Sequence, residues 1–223
     1  MSGSVPKGGL SPTTMLVALY HGPRYNGLLA RMASIVAYTE IRQASITAPS
    51  RFVLAEARRI ADDLGATVYA LLALGPTTSE GLAALAGAVG TAGADRILCC
   101  TDEALAGPSS DATHGPLLVA VAERLRPALA LFPEGETGPA LGRPLAERIG
   151  AAFLPDSSLE ILPATDSAPA QVVVRCSEHD QGDRRSVRLR ESERPVIAAL
   201  RAGTAPPALG EPASDMEMLS YPV

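Results

Sequence analysis

PALALFPEGETGPALGRPLAERIG, residues 127–150, reads as a buried strand, a glycine-containing turn and an amphipathic helix. Residues 128–132 form a short apolar run followed by turn formers, the pattern of a strand covered on both faces in a parallel sheet. Leu141, Leu145 and Ile149 then recur every four residues, while Arg143, Glu147 and Arg148 lie largely off that stripe. That spacing is helical. In the turn between them, Thr137 is placed to cap the helix by accepting a first-turn N–H. Glycines Gly135 and Gly138 allow close backbone approach, and remaining N–H groups at the positive end of a helix dipole suit an anion. The spacing matches neither the phosphate loop with Gly-Lys-Ser/Thr nor the dinucleotide G-x-G-x-x-G. Two readings follow: an ordinary strand-to-helix turn capped by Thr137, or a ligand site at Gly135, Thr137, Gly138 and Leu141.

Outward from this stretch the pattern alternates. Residues 15–20 (MLVALY) read as a strand, and 67–74 and 96–100 as two more; helices are predicted over 52–64, 82–89 and 114–125. Strands alternating with helices over short connections call for a parallel sheet, an α/β Rossmann-like fold with helices on its flanks. Residues 21–50 are ambiguous. Leu28, Leu29, Met32, Ile35 and Val36 have helical spacing between Gly22, Pro23 and Pro49, so the segment is read as a partly helical insertion. After Gly150 the rhythm changes to short strands at 158–162, 171–176, 186–190 and 195–200, expected as antiparallel additions to the sheet. The organisation predicted is a flexible tail over 1–14, one α/β domain over 15–207, and a loose tail or docking arm over 208–223.

The chain has 223 residues, a formal net charge of −5 and no tryptophan. Its length suits one domain with a real core, and its poverty in large aromatics favours helix-on-sheet layers. The modest negative charge gives no electrostatic footprint for nucleic acid. No apolar run reaches membrane-spanning length and residues 1–14 lack a signal-peptide core, which points to a cytoplasmic protein without membrane insertion. Cys99, Cys100 and Cys176 have no metal spacing and read as reduced thiols in or near strands. Nor do His21, His114 and His179 show ligand spacing. His114, at a helix start on the expected ligand side of the sheet, is the best placed of the three. Arg184, Arg185, Arg188 and Arg190 alternate with Asp180, Asp183, Glu191 and Glu193, the composition of a solvated hairpin. No catalytic constellation or nucleophile elbow stands out.

Two passages together resemble the N-terminal domain of the electron transfer flavoprotein α subunit. The first is Ala130-Leu131-Phe132, then Thr137-Gly138, Leu141, Leu145-Ala146, Arg148 and Gly150, similar to the family's strand, Thr-Gly loop and L-x-x-x-L-A-x-R-L-G helix. The second is RPVIAALRAGTAPP over 194–207, similar to the family's R-P-x-V-x-T-V-R-P-G-A-F-P-P. Residues 55–66 and 93–96 add to the likeness. The resemblance implies an adenine-nucleotide α-hydrolase-like α/β domain that pairs with a β subunit of the same fold. In the family a second domain holds most of the FAD, so FAD here is expected to be shared with, or held by, partner chains: a β-like subunit and a separate FAD-domain chain. AMP, which the β subunit binds, is the other ligand implied. Pro139-Ala140 replaces the family's Arg-Asp pair, and Pro144 sits one place beyond the family's helix proline. The role expected is that of a non-catalytic subunit, a scaffold for partner recognition in flavin-dependent electron transfer; the alternative is a stand-alone adenine-nucleotide-binding regulatory module.

Overall fold

Strand β1 (Ser34–Tyr38), with sequence SIVAY, is buried along its whole length. It lies at the middle of a sheet in the computed structural model, which describes residues 34–163, 171–177, 195–203 and 215–222 and the backbone of 184–188. A two-residue hairpin, β2 (Ile41–Arg42) and β3 (Ser45–Ile46), precedes helix α1 (Ala48–Leu64). Then come β4 (Thr67–Leu74), α2 (Ser79–Thr91), β5 (Arg96–Thr101), a short 3-10 turn at Glu103–Leu105, α3 (Asp111–Leu125), β6 (Leu129–Pro133) and α4 (Thr137–Ile149). The chain ends with β7 (Ala152–Leu162), β8 (Gln171–Ser177), β9 (Arg184–Arg188), β10 (Val196–Leu200) and β11 (Asp215–Leu219).

Among the described residues, nine strands form one sheet in the order β11-β5-β4-β1-β6-β10-β7-β8-β9. All neighbours are parallel up to β7, and β7-β8-β9 is an antiparallel extension. Alternate residues of each central strand feed two cores. Ile35, Ala37, Val68, Ala70, Ile97, Leu129, Leu131 and Ala198 pack under α1 and α2, while Val36, Tyr38, Leu71, Leu98, Phe132, Ile197 and Ala199 pack under α3 and α4. Strands buried on both faces explain the near-continuous apolar runs. The α/β Rossmann-like sheet flanked by helices is as expected.

Four expectations change. Ile35 and Val36 belong to β1, because a short β-branched run between polar residues satisfies a fully buried strand better than a helix. Pro49, read as a breaker, sits in the first turn of α1, where its missing N–H has no helical partner to lose. The segment 195–200 is a parallel strand in the interior of the sheet, paired to β6 and β7, whereas residues 158–162 of β7 pair antiparallel with β8, and β8 with β9, as expected. Within the C-terminal arm, β11 lies on the chain's own β5. The predicted strand at 15–20, with His21 and His179, falls outside the described residues.

Candidate functional site

After β1 the chain builds β4 and β5 on one side, then returns to place β6 on the other. Such a reversal opens a crevice outside the carboxyl ends of the strands, where open α/β sheets hold ligands. Here a cleft of ≈ 200 Å³ opens over the ends of β1 and β4. Tyr38 and Glu40 line it from β1, Gln43 and Ala44 from the hairpin, Gly75 from the end of β4, and Ser109 and His114 from the start of α3. Gly75 is required there: a Cβ would lie 2.8 Å from Ala106 Cα, so a side chain would push the loop after β5 off the cleft.

Local sequence sets each wall. Helix α3 starts in a capping box, with Ser110 and Thr113 bonding each other's backbone N–H groups. This turn fixes His114, which is 1% exposed. Thr113 Oγ1 lies 2.8 Å from His114 Nδ1, Ser109 Oγ lies 3.4 Å from His114 Nε2, and Tyr38 Oη lies 3.1 Å from Ser109 Oγ. Tyr38 also stacks on Phe132 and meets the His114 ring edge-on. Burial holds His114 below the ordinary imidazole range, and pushes the Tyr38 phenol up to about 12. Both rings are therefore neutral at physiological pH, and Tyr38 keeps its proton.

Glu40 stands at the other side. Its N–H donates to Ser50 Oγ at 2.8 Å, and its carbonyl accepts from Thr47 N, the cap of α1. Arg42 Nη2 and Thr137 Oγ1 both donate to Glu40 Oε1, at 3.0 and 3.1 Å. The Glu40 side chain is only 15% exposed. Gln43 and Ala44, at the tip of the hairpin, have φ of 50° and 55°. Two consecutive left-handed non-glycine residues are costly, of order 1–2 kcal/mol each, and such strain gathers at functional rims.

The sequence-derived site lies beside this cleft. Thr137 does not cap α4: the N-cap is Glu136, with no side-chain cap bond, and the threonine hydroxyl donates to Glu40 instead. Gly135 has φ +107° and open space where a Cβ would stand. Gly138 is buried, and a Cβ there would overlap the Pro133 carbonyl oxygen and lie 3.0 Å from Ala199 Cβ. Leu141 is wholly buried among the side chains under α4. Gly135 and Thr137 thus face outward, whereas Gly138 and Leu141 serve the join between α4 and β10. Reasoning from sequence named His114 and missed Tyr38, Glu40 and Ser109. Their signal was the polar loop 107–113, whose partner loop was hidden inside the segment read as an insertion.

Cys99 and Cys100 are fully buried; burial pushes the Cys99 thiol up to about 11 and raises Cys100 as well, the reverse of what a nucleophile needs. Among the described residues no cluster of His, Cys, Asp and Glu could hold a metal, and no helix is long and apolar enough to cross a membrane.

The mostly parallel sheet and its flanking helices define an α/β protein of Rossmann-like fold. Within it, the model of the electron transfer flavoprotein domain matches residues 35–222, and the chain belongs to that family. No curated protein matches the chain.

Proposed function

We propose that this chain is an α-like subunit of a flavin-dependent electron transfer complex, acting as scaffold and partner-recognition domain with FAD held mainly by partner chains. One observation supports the reading. The two passages that resemble the α subunit, far apart in sequence, fold into one unit: β10 pairs with β6 along its length, Gly138 admits Ala199 against α4, and Ala202 N donates to Glu134 Oε2 at 2.5 Å. Protein groups position and tune a flavin that itself carries the electrons, so the unit needs no redox side chain of its own. Native purification followed by an absorption spectrum tests this. Flavin bands with a β-like polypeptide, alone or with an FAD-domain chain, are expected; a preparation with neither flavin nor partner overturns it.

The uncapped start of α4 favours a second reading, an adenine-nucleotide-binding module. A nucleotide phosphate would take the first-turn N–H groups at Thr137 and Gly138, with Gly135 giving it room. Calorimetry of the lone chain with AMP and ATP decides it: binding lost on Thr137→Ala is expected, and silence in the unaltered chain removes the idea.

A further inference from the structure

Thiols and thioethers divide sharply in this fold. Cys99, Cys100 and Cys176 are buried, and burial pushes the Cys99 thiol up to about 11 and raises Cys100 as well, so little thiolate is present to meet an oxidant. Met216 and Met218, by contrast, are 37% and 50% exposed, the two large apolar side chains that reach solvent among the described residues. A thioether has no proton to lose before it reacts, so exposure is enough. Both methionines lie on β11, at the edge of the sheet. In the parallel ladder Met216 stands beside Ile97 and Met218 beside Cys99, residues of the core under α1 and α2. Glu217 and Leu219 stand on the other face, beside Leu98 and Cys100. That face is fastened: Leu219 and Tyr221 pack on the core under α3 and α4, and the Tyr221 hydroxyl donates to Thr113 O. On the methionine face the hold is the covered part of the two thioether side chains. Four of the five residues of β11 are exposed, so the strand has little burial to spare.

We propose that Met216 and Met218 are a modification site for hydrogen peroxide, and that their oxidation loosens β11 from β5. Each sulfur attacks one peroxide oxygen: the O–O bond breaks, an S–O bond forms, the sulfur gives up two electrons to the peroxide and water leaves, so that a flexible apolar side chain becomes a polar sulfoxide. The sulfoxide oxygen needs donors, and the neighbouring Ile97 and Cys99 positions are wholly buried and apolar. Hydration draws the side chains outward and takes the methionine face of the strand with them. The reaction uses no flavin and no partner chain, so it stands or falls independently of the electron transfer reading.

The test treats the full chain with hydrogen peroxide, reads the oxidised positions by peptide mass spectrometry and follows strand pairing by amide hydrogen exchange. One added oxygen is expected on each of Met216 and Met218 while the three cysteines stay reduced. Exchange over residues 96–101 and 215–219 should then quicken about 10-fold or more, and methionine sulfoxide reductase should restore the protection. Met216→Leu combined with Met218→Leu should keep the fold and abolish the response, which separates these positions from Met1, Met15 and Met32. Met216→Gln combined with Met218→Gln, polar without any oxidant, should reproduce the loosening. Oxidation of the buried thiols ahead of the methionines overturns the proposal. So does unchanged exchange in a chain that carries both sulfoxides, the same peroxide response in the leucine variant, or a glutamine variant as well protected as the unaltered chain.

Discussion

Gly138 admits no side chain because the end of β6 and Ala199 of β10 already occupy the space. Gly138→Ala is therefore expected to cost about 1–3 kcal/mol, the usual range for overpacking, read as a lower denaturation midpoint at unchanged slope. Sequence spacing singled out this glycine for a ligand; its visible demand is packing. The partner of Thr137 was illegible for a related reason. Its hydroxyl reaches Glu40, 97 positions away in the chain, and local pattern says nothing about such a contact. His114 makes a pH-dependent prediction. Its pKa is lowered in the fold, so the unfolded chain binds the extra proton more readily. Stability from this group is complete above the unfolded value of about 6.5 and falls as pH drops below it. Melting curves at pH 7.5 and 5.5 should diverge, and His114→Gln should reduce the divergence.

At the scale of elements, helices and strands were legible wherever periodicity and caps agreed. Strand 67–74 is observed with the boundaries expected, and Gly65 ends α1 in the left-handed conformation. The misreadings came from residues whose meaning depends on position. Pro49 stops a helix from the inside but starts one at its first turn. Ile35 and Val36 fit two periods at once, and tertiary burial chose the strand. The β2–β3 turn was not foreseen, since Gln43 and Ala44 are not the Asn-Gly pair that such a turn prefers. Ala44→Gly should consequently stabilise the fold by roughly 0.5–1 kcal/mol, measurable as a rise in melting temperature. An unchanged or lower melting temperature would show that the turn is not strained.

On the scale of the molecule, parallel sheet and two helical layers were readable from alternation, but strand order was not. Nothing local to RPVIAALRAGTAPP says that Val196–Leu200 enters between β6 and β7. The edge was hidden too. Strand β11 covers β5 and is tied to α3 by the Tyr221 hydroxyl donating to Thr113 O at 2.7 Å. The Arg124–Glu217 ion pair beside it is about half exposed on both partners and adds little. Removing residues 215–223 should uncover a strand edge that is apolar over residues 97–100. Size-exclusion chromatography is expected to show self-association, with a lowered melting temperature; an unchanged monomer would mean that β11 contributes nothing to the sheet.

The late arrival of β10 has a consequence during synthesis. Chains emerge from the ribosome N-terminus first, and the described residues that line the cleft all lie between Tyr38 and His114. That wall can assemble on β1, β4 and β5 while the strand that joins β6 to β7 is still unmade.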